Sequence, residues 1–133
     1  MNVAEEYSKL SSAKRLQVGC VIVKDDTIIG IGYNGMPSGW SNVCEFEEGD
    51  ELGGYVLKTR PEVIHAEENA IAKIAKSTNS SNGASLFVTH APCIDCAKMI
   101  YQSGIHNVYY RNTYRSTDGI DFLNRCGVGV THV

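Results

Sequence analysis

Between Val3 and about Leu16 the apolar residues Ala4, Tyr7, Leu10 and Ala13 recur every three residues among charged neighbours, a spacing that predicts an amphipathic opening helix. Val18 to Val23 is a short apolar run of strand length. Lys24-Asp25-Asp26 then reads as a turn, and Thr27 to Tyr33 is rich in β-branched residues, so the two runs predict a hairpin. From Asn34 to Pro61 no period is sustained. Glycines, two prolines, Trp40 and an acidic cluster from Glu45 to Glu51 predict a long loop, and loops of this length in small domains are commonly functional.

Periodicity returns at His65 to about Lys76, where Ala66, Ala70, Ile71, Ile74 and Ala75 lie at helical spacing. Asn79 to Gly83 is a turn and Ala84 to Thr89 a strand. A second strong helix is predicted from about Cys93 to Ser103, stopped by Gly104. His106 to Arg111 is a further strand, Gly119 to Cys126 a short helix, and Val128 to Val133 a last strand. The order α-β-β-α-β-α-β-α-β predicts an α/β fold with a mixed sheet and helices packed on it. Its later strand–helix–strand units should be parallel, right-handed crossovers. No linker, repeat or low-complexity tract divides the chain, so residues 1–133 are expected to form a single domain around one core.

Composition narrows the function classes. The 43% hydrophobic and 20% charged content is that of an ordinary globular chain. No apolar run has the length of a membrane span, and the acidic start Met1-Asn2-Val3-Ala4-Glu5-Glu6 lacks a signal-peptide layout. A cytoplasmic, reducing compartment is therefore expected, where five cysteines serve as metal ligands or free thiols more readily than as disulfides. The net charge of −3, with pI about 5.8, argues against gripping extended nucleic acid, whose affinity is mostly phosphate neutralisation. A small anionic ligand needs only one or two local cations and stays open.

Two segments carry the chemistry. His65-Ala66-Glu67 opens one predicted helix, and Pro92-Cys93-Ile94-Asp95-Cys96 opens the next. One imidazole and two thiolates make a three-ligand zinc site with an open fourth position, the catalytic rather than the structural pattern. The thiolates offset the metal's charge, helix N-termini favour them, and water at the open position is polarised. Glu67 lies two residues past His65 and can share the cavity without being a ligand, positioned to shuttle a proton. Taken alone, C-x-x-C could be a redox pair, and a helix-start histidine is usually structural. Their order, H-x-E then P-C-x-x-C, is the signature of zinc nucleobase deaminases. A closed structural site would need a fourth protein ligand; Cys20, Cys44, Cys126, His90, His106 and His132 qualify by type only, and Cys20 and Cys126 fit better as small buried residues.

With these residues in hand, the chain resembles the cytidine-deaminase superfamily and, within it, the deoxycytidylate (dCMP) deaminases. The resemblance runs through Val18-Gly19-Cys20-Val21-Ile22-Val23, Gly32-Tyr33-Asn34-Gly35-Met36-Pro37-Ser38-Gly39, His65-Ala66-Glu67-Glu68-Asn69-Ala70-Ile71 and Pro92-Cys93-Ile94-Asp95-Cys96-Ala97-Lys98. It implies a three-layer α/β/α domain with a mixed five-stranded sheet. It implies one catalytic Zn²⁺ per chain on His65, Cys93 and Cys96, with Glu67 as proton shuttle. For the substrate it implies Asn34 on sugar and base, the carbonyl of Ala91 on the base amino group, Arg15 on the phosphate, and Tyr114 lining the site. It further implies a homo-hexamer activated by dCTP and inhibited by dTTP with Mg²⁺, with the loop carrying Gly32, Asn34 and Gly35 tied to regulation. The activity so implied is hydrolysis of dCMP to dUMP, supplying thymidylate synthesis.

Alternatives remain beside several of these residues. Asn34 also reads as a strand-ending turn, and Arg15 as a helix-end charge, with Lys14, Arg111 and Arg115 competing for the phosphate. Trp40 is either a lid residue or packing. Some phage relatives hold a second, structural zinc in the insert, but Trp40 to Pro61 has one cysteine, Cys44, and no histidine, so a single zinc is expected. The rival functions are adenosine deamination in tRNA and a catalytically inactive nucleotide-binding protein on the same fold; the retained Glu67 speaks against the second.

Overall fold

A computed structural model of residues 1–133 shows β1 (Gly19–Lys24) and β2 (Thr27–Tyr33) as the expected antiparallel hairpin. Its two-residue loop places Asp25 and Asp26 at φ 50° and 60°. Both are left-handed, as a turn matching the twist of the strands requires, and Asp tolerates that region better than most residues. The chain continues through β5 (Ser85–His90), α3 (Ile94–Gln102), β6 (Asn107–Asn112), α4 (Asp118–Arg125) and β7 (Gly129–His132). The five strands form one sheet in the order β2-β1-β5-β6-β7. β5, β6 and β7 run parallel while β1 pairs antiparallel with both neighbours, so the mixed sheet and its parallel later half are both observed.

Two glycines decide which helix lies on which face. A side chain on Gly19 would collide with the backbone of Ala4 and Ser8 in α1 (Asn2–Ser8); one on Gly32 would collide with Ala66 and Ala70 in α2 (Ala66–Ala75). Gly32 pairs with Cys20, the residue after Gly19, and successive side chains along a strand point to opposite faces. Helices α1 and α2 therefore sandwich the sheet. The core fills the α2 side, where Cys20, Ile22, Leu86, Val88 and Val108 meet Ala66, Ala70 and Ile74 of α2, Ala97 and Ile100 of α3, and Leu123 of α4. Each fully buried Ile or Leu there contributes about 2 kcal/mol of transfer free energy. No helix is long and apolar enough to cross a membrane.

Two expectations need correction. The opening helix ends at Ser8, well before Leu16. Beyond it the backbone N–H groups and side chains bind partners far along the chain: Ser12 Oγ donates to Asn42 O (2.8 Å), and the N–H groups of Lys14 and Arg15 donate to Glu45 Oε1. These tertiary bonds replace the helical ones. Second, the predicted loop from Asn34 to Pro61 contains a separate antiparallel hairpin, β3 (Glu45–Gly49) with β4 (Tyr55–Thr59). Asp50 closes its turn by accepting the N–H groups of Leu52 (2.9 Å) and Gly54 (2.7 Å) on Oδ1. Apart from Glu45, both strands are solvent-exposed on either face, and Leu52 at the tip is 96% exposed. A ribbon with no buried face imprints no alternation on its sequence. It is anchored at its base, where Arg60 N–H donates to Cys44 O (2.8 Å) and Cys44 packs with Ala13, Val63 and Met36.

Candidate active site

The site lies where α2 and α3 begin. The loop after β2 is clipped to the residue preceding His65: Gly35 and Ile64 exchange backbone bonds of 3.1 and 2.8 Å. His65 then caps α2, and its own N–H donates to Glu68 Oε1 (2.9 Å). The α3 side is pinned to β6, with Ala91 N–H donating to Asn112 O (2.9 Å) and Asn112 Nδ2 to Thr89 O (2.8 Å). Cys93 caps α3, and Cys96 follows in its first turn. Two helix N-termini, each a partial positive charge, thus face the three donor groups and favour thiolate over thiol.

His65 Nδ1 is 3.2 Å from Cys96 Sγ and 3.6 Å from Cys93 Sγ, and the three donor atoms all lie within 4.8 Å of one another. A tetrahedral zinc with ordinary N and S bond lengths requires N···S and S···S separations of about 3.6 and about 3.8 Å. The residues therefore fit a single Zn²⁺ held by three protein ligands. The three donors also lie within hydrogen-bonding reach of one another. A hydrogen bond from Cys96 brings the Cys93 thiol down to about 4, and the bond to Cys93 lifts the His65 imidazole to about 9. Cys96, which keeps the shared proton, is raised above the thiol range by that same bond and by burial. One imidazole and two thiols gathered this closely are a donor set suited to a divalent cation.

Glu67 is 4% exposed and lines the cleft beside these donors. Burial is the main influence on its carboxyl, pushing it up to about 7, against smaller opposing effects from its own backbone amide and His65. The cleft has a volume of about 730 Å³, within the range of small-molecule sites. Asn34, Arg15, Ala91 and Tyr114 all line it, together with His65, Glu67 and Cys93. Asn34 also has a structural task, as its turn reading suggested. Its Oδ1 accepts from Val18 N–H (2.9 Å) and its Nδ2 donates to Leu16 O (2.8 Å).

Among the cations that competed with Arg15, Arg115 lines the cleft and lies over the Tyr114 ring, 5.5 Å from its centroid. Arg111 is instead paired with Glu5 of α1 (2.6 Å). Trp40, 57% exposed, is not in the cleft wall. Cys44, Cys20 and Cys126 lie outside the donor cluster: Cys20 is buried in the main core, Cys126 packs against it, and Cys44 sits in the small cluster under the hairpin. Sequence reasoning missed Glu45, Lys58 and Thr59, which the hairpin brings into the wall, and considered His90 only by type as a fourth metal ligand. The His90 imidazole, lowered by burial, lies 2.9 Å from Thr89 Oγ1. Its place directly before Ala91-Pro92-Cys93 was the one available signal; the hairpin residues gave none.

Residues 1–112 match the family model described as cytidine and deoxycytidylate deaminase zinc-binding region. The deoxycytidylate deaminase of Enterobacteria phage T4 is 33% identical, the alignment covering 100% of this chain and 87% of that protein. ComE operon protein 2 of Bacillus subtilis is 41% identical over 92% of this chain, which spans 63% of that protein's length. Among solved structures, the dCMP deaminase of cyanophage S-TIM5, crystallised in complex with dCMP and dUMP, superposes with a TM-score of 0.90. That match has 49% sequence identity and covers 99% of this chain and 92% of the phage chain.

Proposed function

Because the chain belongs to the cytidine and deoxycytidylate deaminase zinc-binding family, we propose that it is a deaminase hydrolysing the exocyclic amine of dCMP to give dUMP and ammonia. The observation that carries this reading is the convergence of His65, Cys93 and Cys96 beside the buried Glu67 in one nucleotide-sized cleft. Similarity to the phage enzyme crystallised with dCMP and dUMP supports the choice of substrate.

His65, Cys93 and Cys96 would hold the zinc. Bound there, zinc supplies the Lewis acidity that makes water a nucleophile at neutral pH. Glu67 takes one proton from the attacking water and delivers it to the ring nitrogen; it then takes the second, from the hydroxyl newly bonded to the ring carbon, and passes it to the departing amine as the C–N bond breaks. A carboxyl whose charged form is disfavoured by burial can both accept and return a proton near neutral pH. In this reading the Ala91 carbonyl accepts from the base amino group, Asn34 bonds the sugar and Tyr114 lines the nucleotide, which the presence of all three in the cleft wall supports. Arg15, with Arg115 and Lys58 in the same wall, supplies positive charge for the 5′-phosphate.

Control by dCTP and by dTTP with Mg²⁺, and assembly as a hexamer, are supported by the resemblance of the Gly32 to Gly39 loop to that of regulated family members. Sedimentation with and without dCTP tests both. The reaction itself is tested by ammonia release from dCMP, CMP, deoxycytidine, dCTP and tRNA. We expect dCMP to be turned over with the highest kcat/KM. Release from tRNA adenosine alone would overturn the assignment.

A further inference from the structure

The β3–β4 hairpin stands outside the five-stranded sheet, yet it supplies Glu45, Lys58 and Thr59 to the cleft wall. Glu45 and Thr59 are partners across the hairpin register, and both bind the same residue. Glu45, only 6% exposed, accepts the backbone N–H groups of Lys14 (2.7 Å) and Arg15 (3.1 Å) on its Oε1. Thr59 Oγ1 accepts from Arg15 Nη1 (3.1 Å). One cross-strand pair therefore fixes both the main chain and the guanidinium of Arg15.

The division of labour matters electrostatically. The carboxylate binds amides, while the neutral hydroxyl binds the guanidinium. Arg15 is thereby oriented without being neutralised, and it takes part in none of the ion pairs of the molecule. Asn34 holds the next stretch through Leu16 O and Val18 N–H, so the segment from Lys14 to Val18 is tied down along its length. A guanidinium already held in place loses less side-chain freedom when it binds an anion, which strengthens its contribution.

Resting on the reading of Arg15 as a phosphate-binding cation, we propose that the hairpin is a positioning element for that arginine. Through Glu45 and Thr59 it makes the site prefer a nucleoside 5′-monophosphate over the nucleoside. Neither residue touches the reacting atoms; both act through Arg15.

The test compares kcat and KM on dCMP and on deoxycytidine for Arg15→Ala, Thr59→Val, Thr59→Ser, Glu45→Leu and Glu45→Gln, with zinc content as a control. Thr59→Val should raise KM for dCMP about three- to tenfold, the effect of one hydrogen bond, with kcat within about twofold and deoxycytidine turnover unchanged. Thr59→Ser, which keeps the hydroxyl, should behave as the parent. Glu45→Leu should produce a larger KM effect of the same kind, and Glu45→Gln, which keeps an acceptor oxygen, a smaller one. In an Arg15→Ala background Thr59→Val should add nothing. Equal losses on dCMP and deoxycytidine would mark a merely structural role and overturn the proposal. An unchanged dCMP KM in Thr59→Val would do the same, even if Glu45→Leu fails to fold. If Arg15→Ala itself leaves KM unaltered, the phosphate reading of Arg15 fails, a result distinct from an Arg15 effect that the hairpin variants do not share.

Discussion

At the scale of single residues, the proposed reaction assigns metal binding to His65, Cys93 and Cys96 and proton transfer to Glu67. Glu67→Gln keeps shape and a hydrogen-bonding oxygen but carries no exchangeable acid proton. We expect dCMP turnover to fall by about 10²- to 10⁴-fold while zinc content, measured by elemental analysis, stays stoichiometric. Substantial remaining activity would remove Glu67 from the proton path. Cys96→Ser should do the opposite in kind. Its side chain is nearly fully buried and clustered with the other two donors, and an alcohol does not ionise as the thiol does. Zinc is expected to be largely lost, and activity with it. These roles were legible in the sequence because metal chemistry requires particular atom types at particular local spacings. Asn34 was legible only in part, since its amide serves the main chain of residues 16–18 as well as the cleft.

At the scale of elements, the placement of α2 depends on glycines in β2. Gly30 and Gly32 face Ala66, Ala70 and Ile74, so the helix carrying His65 and Glu67 approaches the sheet more closely than larger residues would allow. Gly32→Ala would drive a methyl group into the α2 backbone, and we expect a loss of about 1–3 kcal/mol in urea denaturation, accompanied by weaker zinc retention. Gly35→Ala is the control. Nothing lies near its added carbon, and its stability should stay within about 0.5 kcal/mol of the parent. Similar losses at both positions would mean that the packing argument is wrong. Elements with a buried face were read correctly from periodicity, as β1, β2, α2 and α3 show. The β3–β4 hairpin was not, because its strands are wet on both sides and its order comes from the Asp50 turn and the Glu45 anchor.

At the scale of the whole molecule, the three donors come from the starts of two helices that meet only through the fold, so metal should tie α2 to α3. Stripping zinc with a chelator is expected to abolish turnover and lower the thermal midpoint, and added Zn²⁺ to restore both. A metal-free protein with undiminished dCMP activity would contradict the proposed function. What the chain determined unaided was the set of buried-face elements, their order, and which residues make up the candidate donor cluster with Glu67 beside it. Each of these is written in spacing along a few neighbouring positions, which local backbone geometry converts directly into a face or a cluster. What only the tertiary structure decided was the end of α1, the hairpin in the insert, the commitment of Arg111 to Glu5, and the gathering of Glu45, Thr59 and Arg15 at one wall. Apart from the hairpin's own short-range pairing, which has no buried face to mark it, those rest on bonds between residues 30 to 106 positions apart, whose partners have no period to announce them and are brought together by the packing of the sheet and its helices.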